Sequence, residues 1–248
     1  EVGCWLLGTV TGAIIASIPG VLRVKWDANA LVSSLMLNYV CLYMANYIIR
    51  VKIGDTSLGI MTSKKFQATA KLPVIIPGSR IHLGLVFALI LVIVCFLLMY
   101  RSKLGYAIRM TGKNSAFARY VGTSVSGTIL ISQLLGGAIA GLGGLYFIMD
   151  YIGGAWTNGG FGDRGWLAIA LVIFALWKPK YSILGSILFG GLYIVYLYIP
   201  GLSRSSQEIF KMLPYVVTIV VLIVLSIRNR RENQPPESLG LSYFREDR

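Results

Sequence analysis

Apolar runs separated by short polar stretches repeat along the whole chain. Seven of them, at about 2–20, 30–49, 82–100, 125–149, 165–177, 181–199 and 212–227, alternate with segments rich in Lys, Arg, Gly and Pro. A helix needs about 20 apolar residues to cross a hydrocarbon core of about 30 Å. The runs 30–49, 82–100 and 181–199 meet that length without a charge. The pattern predicts an all-α, polytopic membrane helical bundle with about seven membrane segments. One of these is short, since the 13 residues of 165–177 rise about 20 Å. Either the run extends into the preceding loop, GGAWTNGGFGDRG, or that loop re-enters the membrane. Both readings stay open.

Composition narrows the picture. Charged residues make up 13% of the 248 and hydrophobic residues 56%, where a soluble domain carries about 25% charged. The excess of 23 Lys and Arg over 10 Asp and Glu gives a net charge of +13. No soluble domain remains to present a nucleic-acid face, so the charge reads as membrane retention, with Lys and Arg enriched in cytoplasmic loops. With the first run entering from outside, the inside regions 21–29, 101–124, 178–180 and 228–248 hold 14 of the 23 basic residues. The loop 50–80 holds six of the other nine and weakens that bias. No domain boundary is visible before about residue 228. The expected organisation is one transmembrane domain over 1–228 and a cytoplasmic tail over 229–248, with a start at Glu1 that looks truncated or processed.

The stretch RSKLGYAIRMTGKNSAFARYVGTSV, residues 101–125, carries Arg101, Lys103, Arg109, Lys113 and Arg119 and no acid. The helix begun in 82–100 is expected to run to about Met110 and break at Gly112. Asn114 suits the N-cap of a short helix over Ser115–Val121, which Gly122 ends. Phe117 and Tyr120 then lie three apart on one face, beside the cations Arg109 and Arg119. The residues alone leave two readings level: a docking surface for a partner, or a solvated loop that fixes orientation.

Two helices carry small or polar stripes. In 125–149, Ser126, Gln133, Gly137, Ala140 and Gly144 share a face, and Gly137 with Gly141 forms a GxxxG pair. Small residues let backbones approach closely, so the stripe reads as a packing seam or as a narrow translocation path lined by Gln133. In 30–49, Ser34, Asn38, Cys41 and Ala45 share a face. An Asn near mid-membrane is unfavourable facing lipid, so Asn38 either bonds to a neighbouring helix or lines a path. His82, Asp150 and Asp163 sit at segment ends and read as boundary residues.

Enzymatic motifs are absent. Nothing matches GxxxxGK[ST], HExxH or CxxC, and Cys4, Cys41 and Cys95 have no metal-ligand spacing. There is no buried acidic pair of the kind a proton-coupled carrier uses. The chain is therefore expected to be no enzyme and to bind no cofactor or metal itself. Any energy for uphill transport would come from another subunit.

Three stretches carry a family resemblance. LGYAIRMTGKNSAFARYVGTSVSGTILISQLLGGAIAGLGGLYF resembles the permease subunits of bacterial ABC importers for simple sugars, nucleosides and branched-chain amino acids. Gly105, Tyr106, Arg109, Gly112, Asn114, Ala118, Arg119, Tyr120 and Gly122 fit that family's cytoplasmic motif, while Met110, Thr111, Phe117 and Thr123 depart from it. ALVSSLMLNYVCLYMANYII is similar to a helix of the nucleoside-type branch, through Leu35, Met36, Leu37, Asn38 and Tyr39. GGFGDRGWLAIALVIFALWKPKYSILGSILFGGL is similar to a third family region, with Trp166, Lys178 and Lys180 as departures.

The resemblance implies a multi-pass protein of the bacterial cytoplasmic membrane. It would work with cytoplasmic ATPase subunits that bind ATP, a second permease subunit and an extracytoplasmic solute-binding protein. Gly105, Arg109, Gly112, Asn114, Phe117, Arg119, Tyr120 and Gly122 would form the ATPase-coupling loop. Ser34, Asn38, Gln133, Gly137 and Gly141 would serve the path or helix packing. The rival expectations are a self-contained channel or secondary carrier, and a non-transporting assembly subunit.

Overall fold

The computed structural model describes residues 2–55, 62–64, 75, 83–162, 164–201 and 203–228. The expected tail 229–248, most of the 50–80 loop, His82 and Asp163 lie outside these residues. The chain starts with two long helices, α1 (Val2–Trp26) and α2 (Ala30–Ile48). A three-residue turn joins them, and in it Asn29 Oδ1 accepts the backbone N–H of Leu31 at 3.0 Å. That bond caps an otherwise unsatisfied helix start. A π-turn over Ile49–Ile53 leads into a two-residue antiparallel ladder, β1 (Gly54–Asp55) with β2 (Thr62–Ser63).

The second part begins with α3 (Leu83–Arg101), α4 (Lys103–Lys113) and α5 (Ser115–Tyr120), followed by the long α6 (Val125–Tyr146). A second π-turn, Phe147–Tyr151, closes α6. Consecutive Gly153 and Gly154, at φ of 80° and 90°, then reverse the chain in a backbone region that favours glycine. The last elements are α7 (Arg164–Phe174), α8 (Pro179–Ile194) with a 3-10 turn over Val195–Tyr198, and α9 (Arg204–Arg228). Ser63 ties the two irregular ends together: its N–H donates to Trp156 O at 2.9 Å, and its Oγ accepts the Trp156 N–H at 2.8 Å.

Each of the seven expected segments is largely helical, but among the described residues five helices, not seven, are long and apolar enough to cross a membrane. Two segments fall short rather than one. The 11 residues of α7 rise about 16 Å and the 16 of α8 about 24 Å. The apolar run of α7 does not continue helically into the preceding loop, because that loop is held in turns by its glycines and by the ladder contact. The small ladder was not anticipated either. A further correction concerns 82–110: the helix stops at Arg101, and Gly112 lies inside α4 instead of ending it.

One helix pair dominates the packing. α1 and α6 share far more contact than any other two elements. They run antiparallel, with Gly8 beside Leu145 at one end and Gly20 beside Gln133 at the other. α7, α8 and α9 form a second packed group. Most large apolar side chains on α2, α3 and α9 remain exposed, including Phe87, Ile93, Ile219 and Ile223. Such surfaces suit hydrocarbon or neighbouring chains rather than water.

Candidate functional site

The 101–125 stretch folds as two helices joined at a polar hinge. Ser102 breaks the long helix because its backbone turns extended, at φ −97° and ψ 155°. Its hydroxyl works in both directions: it donates to Leu98 O at 2.6 Å and accepts the Gly105 N–H at 3.0 Å. One side chain thereby satisfies the end of α3 and the start of α4. Gly105 is buried in the crook. A side chain there would collide with the carbonyls of Leu98 and Met99.

α5 follows at once. Asn114 Oδ1 accepts the Phe117 N–H at 2.9 Å and caps the first turn. At the other end Gly122 adopts φ 84°. Its N–H donates to Arg119 O at 3.1 Å, and the Thr123 N–H donates to Ala118 O at 2.9 Å. This pair of bonds is the Schellman closure, which needs a left-handed residue where Gly122 stands. The six-residue helix is therefore fixed at both ends despite its length.

Packing gives α5 two faces. Ala118 is completely buried, while Tyr120 is 90% and Phe117 54% exposed. Arg119 is exposed too, and the exposed Arg109 packs its guanidinium over the Tyr100 ring at 5.0 Å from the centroid. The result is a rigid apolar knob flanked by cations. Arg23 and Lys25 lie in the last turn of α1, whose end packs beside the early turns of α6 that follow α5. Gly112 sits in the last turn of α4, where an added side chain would meet open space.

The second set of expected residues separates. Gly137 and Gly141 face α1, where added side chains would strike the carbonyls of Gly12 and Gly8. Gln133 lays its Cγ over Gly20, 3.1 Å from where a Cβ would stand. Gly144 has open space and lies off that seam. Ser34 and Asn38 lie elsewhere, on α2, whose described residues include none that is buried. The structure thus brings Gln133, Gly137 and Gly141 together and leaves Ser34 and Asn38 uncovered on another helix.

Sequence reasoning missed two parts of this arrangement. The partner of the α6 stripe is Gly8, Gly12, Ala16 and Gly20 of α1, a small residue at every fourth position. That spacing is a packing signal visible in the sequence. Ser102 is the other, and a hydroxyl residue just past a long apolar run and its closing Arg101 is a capping signal.

Residues 2–222 match the family model described as branched-chain amino acid transport system / permease component. The chain is 29% identical over 223 residues to the guanosine ABC transporter permease protein NupP of Bacillus subtilis, covering 89% of this chain and 63% of that one. It is 24% identical over 233 residues to the nucleoside ABC transporter permease protein NupB of Lactococcus lactis, covering 90% and 62%. Over 151 residues it is 33% identical to the glucose ABC transporter permease protein TsgB13 of Haloferax volcanii, covering 57% and 40%. The chain therefore spans less than two thirds of the length of these relatives. No solved structure matches it.

Proposed function

The chain belongs to the branched-chain amino acid transport system permease component family, and from that premise we propose that it is the membrane-embedded permease subunit of an ATP-driven importer. It is a multi-pass membrane protein. Its solute is a small polar molecule, a nucleoside or a simple sugar, in keeping with the relatives named above. Residues 1–228 act as one transmembrane domain and 229–248 as a cytoplasmic tail.

The observation that carries this reading is α5. A six-residue helix capped at both ends, with Phe117 and Tyr120 turned outward, spends apolar surface where a topology loop would spend none. A groove on a cytoplasmic ATPase subunit takes the two rings, and acidic residues on its rim meet Arg109 and Arg119. Asn114 and Gly122 hold the knob's shape, and Gly105 and Gly112 belong to the lever behind it. Because α5 packs through its buried Ala118 and contacts both α4 and α6, movement of the ATPase is passed to both. The bundle end carrying Arg23, Lys25 and the 101–119 cations faces the cytoplasm, following the positive-inside tendency.

The opposite end receives solute from an extracytoplasmic binding protein. A second permease subunit completes the path and covers α2, where Ser34 and Asn38 are too polar to face lipid. Gln133, Gly137 and Gly141 then act as packing residues that hold the path's wall together.

The test is purification of the tagged chain from its native membranes in mild detergent. A stoichiometric P-loop ATPase is expected, lost from the Phe117→Ala/Tyr120→Ala variant while the chain still inserts. A chain that purifies alone and moves solute in vesicles without ATPase subunits would overturn the proposal in favour of a self-contained carrier.

A further inference from the structure

We propose that the elbow between α3 and α4 holds an acidic phospholipid, with one acyl chain lying along α3 and the phosphate between Arg101 and Lys103. The site requires only that the chain spans a membrane, and does not depend on an ATPase partner.

An open cleft of about 480 Å³ forms at this elbow, lined by Val94, Leu97, Leu98, Arg101, Ser102 and Leu104. Val94, Leu97, Leu98 and Arg101 recur at i, i+3, i+4 and i+7, so they share one face of α3. Seven residues of helix rise about 10 Å, which sets the length of the apolar floor. Leu104 closes the end of it. The bend at Ser102 brings α4 back so sharply that Gly105 sits against the Leu98 and Met99 carbonyls. Val94 is 53% and Leu97 49% exposed, so the floor stands uncovered by the described chain.

Depth and charge select the occupant. The 19 residues of α3 rise about 28 Å, close to the hydrocarbon thickness of about 30 Å. Arg101, its last residue, therefore stands at headgroup level, with Val94 about 10 Å inside the hydrocarbon. An extramembrane protein does not reach that depth, whereas an acyl chain runs along it. At the mouth of the cleft Arg101 and Lys103 are both exposed, and among the described residues neither is in an ion pair. The stretch 101–125 carries no acid to neutralise them. The start of α4 turns the positive end of its helix dipole to the same place. Ser102 engages its hydroxyl with Leu98 O and the Gly105 N–H, which leaves the two cations for the phosphate. Basic residues at the end of a membrane helix favour anionic lipid in this way. A second copy docked face to face here would set its own Arg101 and Lys103 against the same charges. The site is also distinct from the α5 knob, since α4 extends about 16 Å between the cleft and the turn into α5.

The test uses the full chain, with whatever subunits accompany it, in phosphatidylcholine nanodiscs containing a trace of lipid with a diazirine on one acyl chain. A phosphatidylglycerol probe should label the Val94–Leu104 segment about 25-fold more than a phosphatidylcholine probe, about fivefold for each cation. Arg101→Gln and Lys103→Gln should each lower that labelling about fivefold. Leu97→Trp, which fills the floor and keeps both charges, should abolish it. Equal labelling by the two probes overturns the proposal, as does phosphatidylglycerol labelling spread evenly over α2, α3 and α9. Suppression by glycerol 3-phosphate at constant ionic strength overturns it in favour of a soluble phosphate ligand. A segment that neither probe reaches, and that crosslinks to a second permease copy or an ATPase, overturns it in favour of a protein occupant. None of these readouts involves transport, so the importer reading stands or falls separately.

Discussion

Replacing Gly137 by Ala adds one methyl group at the closest approach of α1 and α6. The new Cβ falls on the Ala16 Cβ and the Gly12 carbonyl oxygen, and 3.1 Å from the Gly12 carbonyl carbon. Carbon atoms pack best at about 3.5–4.0 Å, and the Ala16 Cβ lies far inside that distance, so the helices must part by about 1 Å or more. A gap of that size forfeits about half of each dispersion contact across the seam. Overpacking of this kind costs about 1–3 kcal/mol. The change also gains something, because Ala is intrinsically the better helix former by up to about 1 kcal/mol.

Gly136 provides the control. It is the adjacent residue on the same helix and has open space around it, so Gly136→Ala carries the helix-propensity gain without the collision. The difference between the two variants isolates the seam and should be about 1–3 kcal/mol. Reversible unfolding in mixed micelles, followed by Trp fluorescence, measures it. Two variants equal within about 0.5 kcal/mol, the usual size of a neutral surface change, would refute the claim that close backbone approach holds α1 to α6.

Asn114→Ala should destabilise α5 by about 1 kcal/mol, seen as faster amide exchange over 115–120, and Asn114→Ser should restore protection. Gly122→Ala forces a side chain into the left-handed region at φ 84° and should cost about 1–2 kcal/mol. It should also weaken ATPase co-purification without blocking membrane insertion. Gly105→Ala drives a methyl into the Leu98 and Met99 carbonyls, so a drop in thermal unfolding temperature is expected where the open Gly112→Ala gives little change. Tyr120→Ala removes a ring that is 90% exposed and should leave chain stability within about 0.5 kcal/mol of the parent while reducing ATPase binding.

Local chemistry was legible in the sequence, and packing between distant segments was not. Asn114 and Gly122 frame α5 in the structure because their bonds reach only three to five residues along the chain. Every apolar run is helical for a similar reason, since in hydrocarbon the backbone must satisfy itself within the segment. The break at Ser102 was missed because Leu104, Ala107, Ile108 and Met110 resume an apolar pattern beyond it, whereas the serine hydroxyl already ends the helix. The two short helices show the limit of counting apolar residues: 181–199 is apolar throughout, yet its last residues form a 3-10 turn and an extended end. Along the chain Arg164 is one basic residue among 23. The rings around it come from 147, 151 and 193, and no spacing along the chain announces that they meet.

The α1–α6 pairing also bears on how the protein is made. About 120 residues separate the end of α1 from the end of α6, and at synthesis rates of about 5–20 residues per second that interval lasts about 6–24 s. During that time Gly8, Gly12, Ala16 and Gly20 have left the ribosome without the helix they fit. The early segments α2 and α3 pass through the same membrane meanwhile, carrying large side chains such as Leu35, Met36, Phe87 and Ile90 that a small-residue groove cannot receive closely. The groove is in this sense kept open by the shape of its neighbours in the queue, and the order of insertion protects a contact that forms only when α6 arrives.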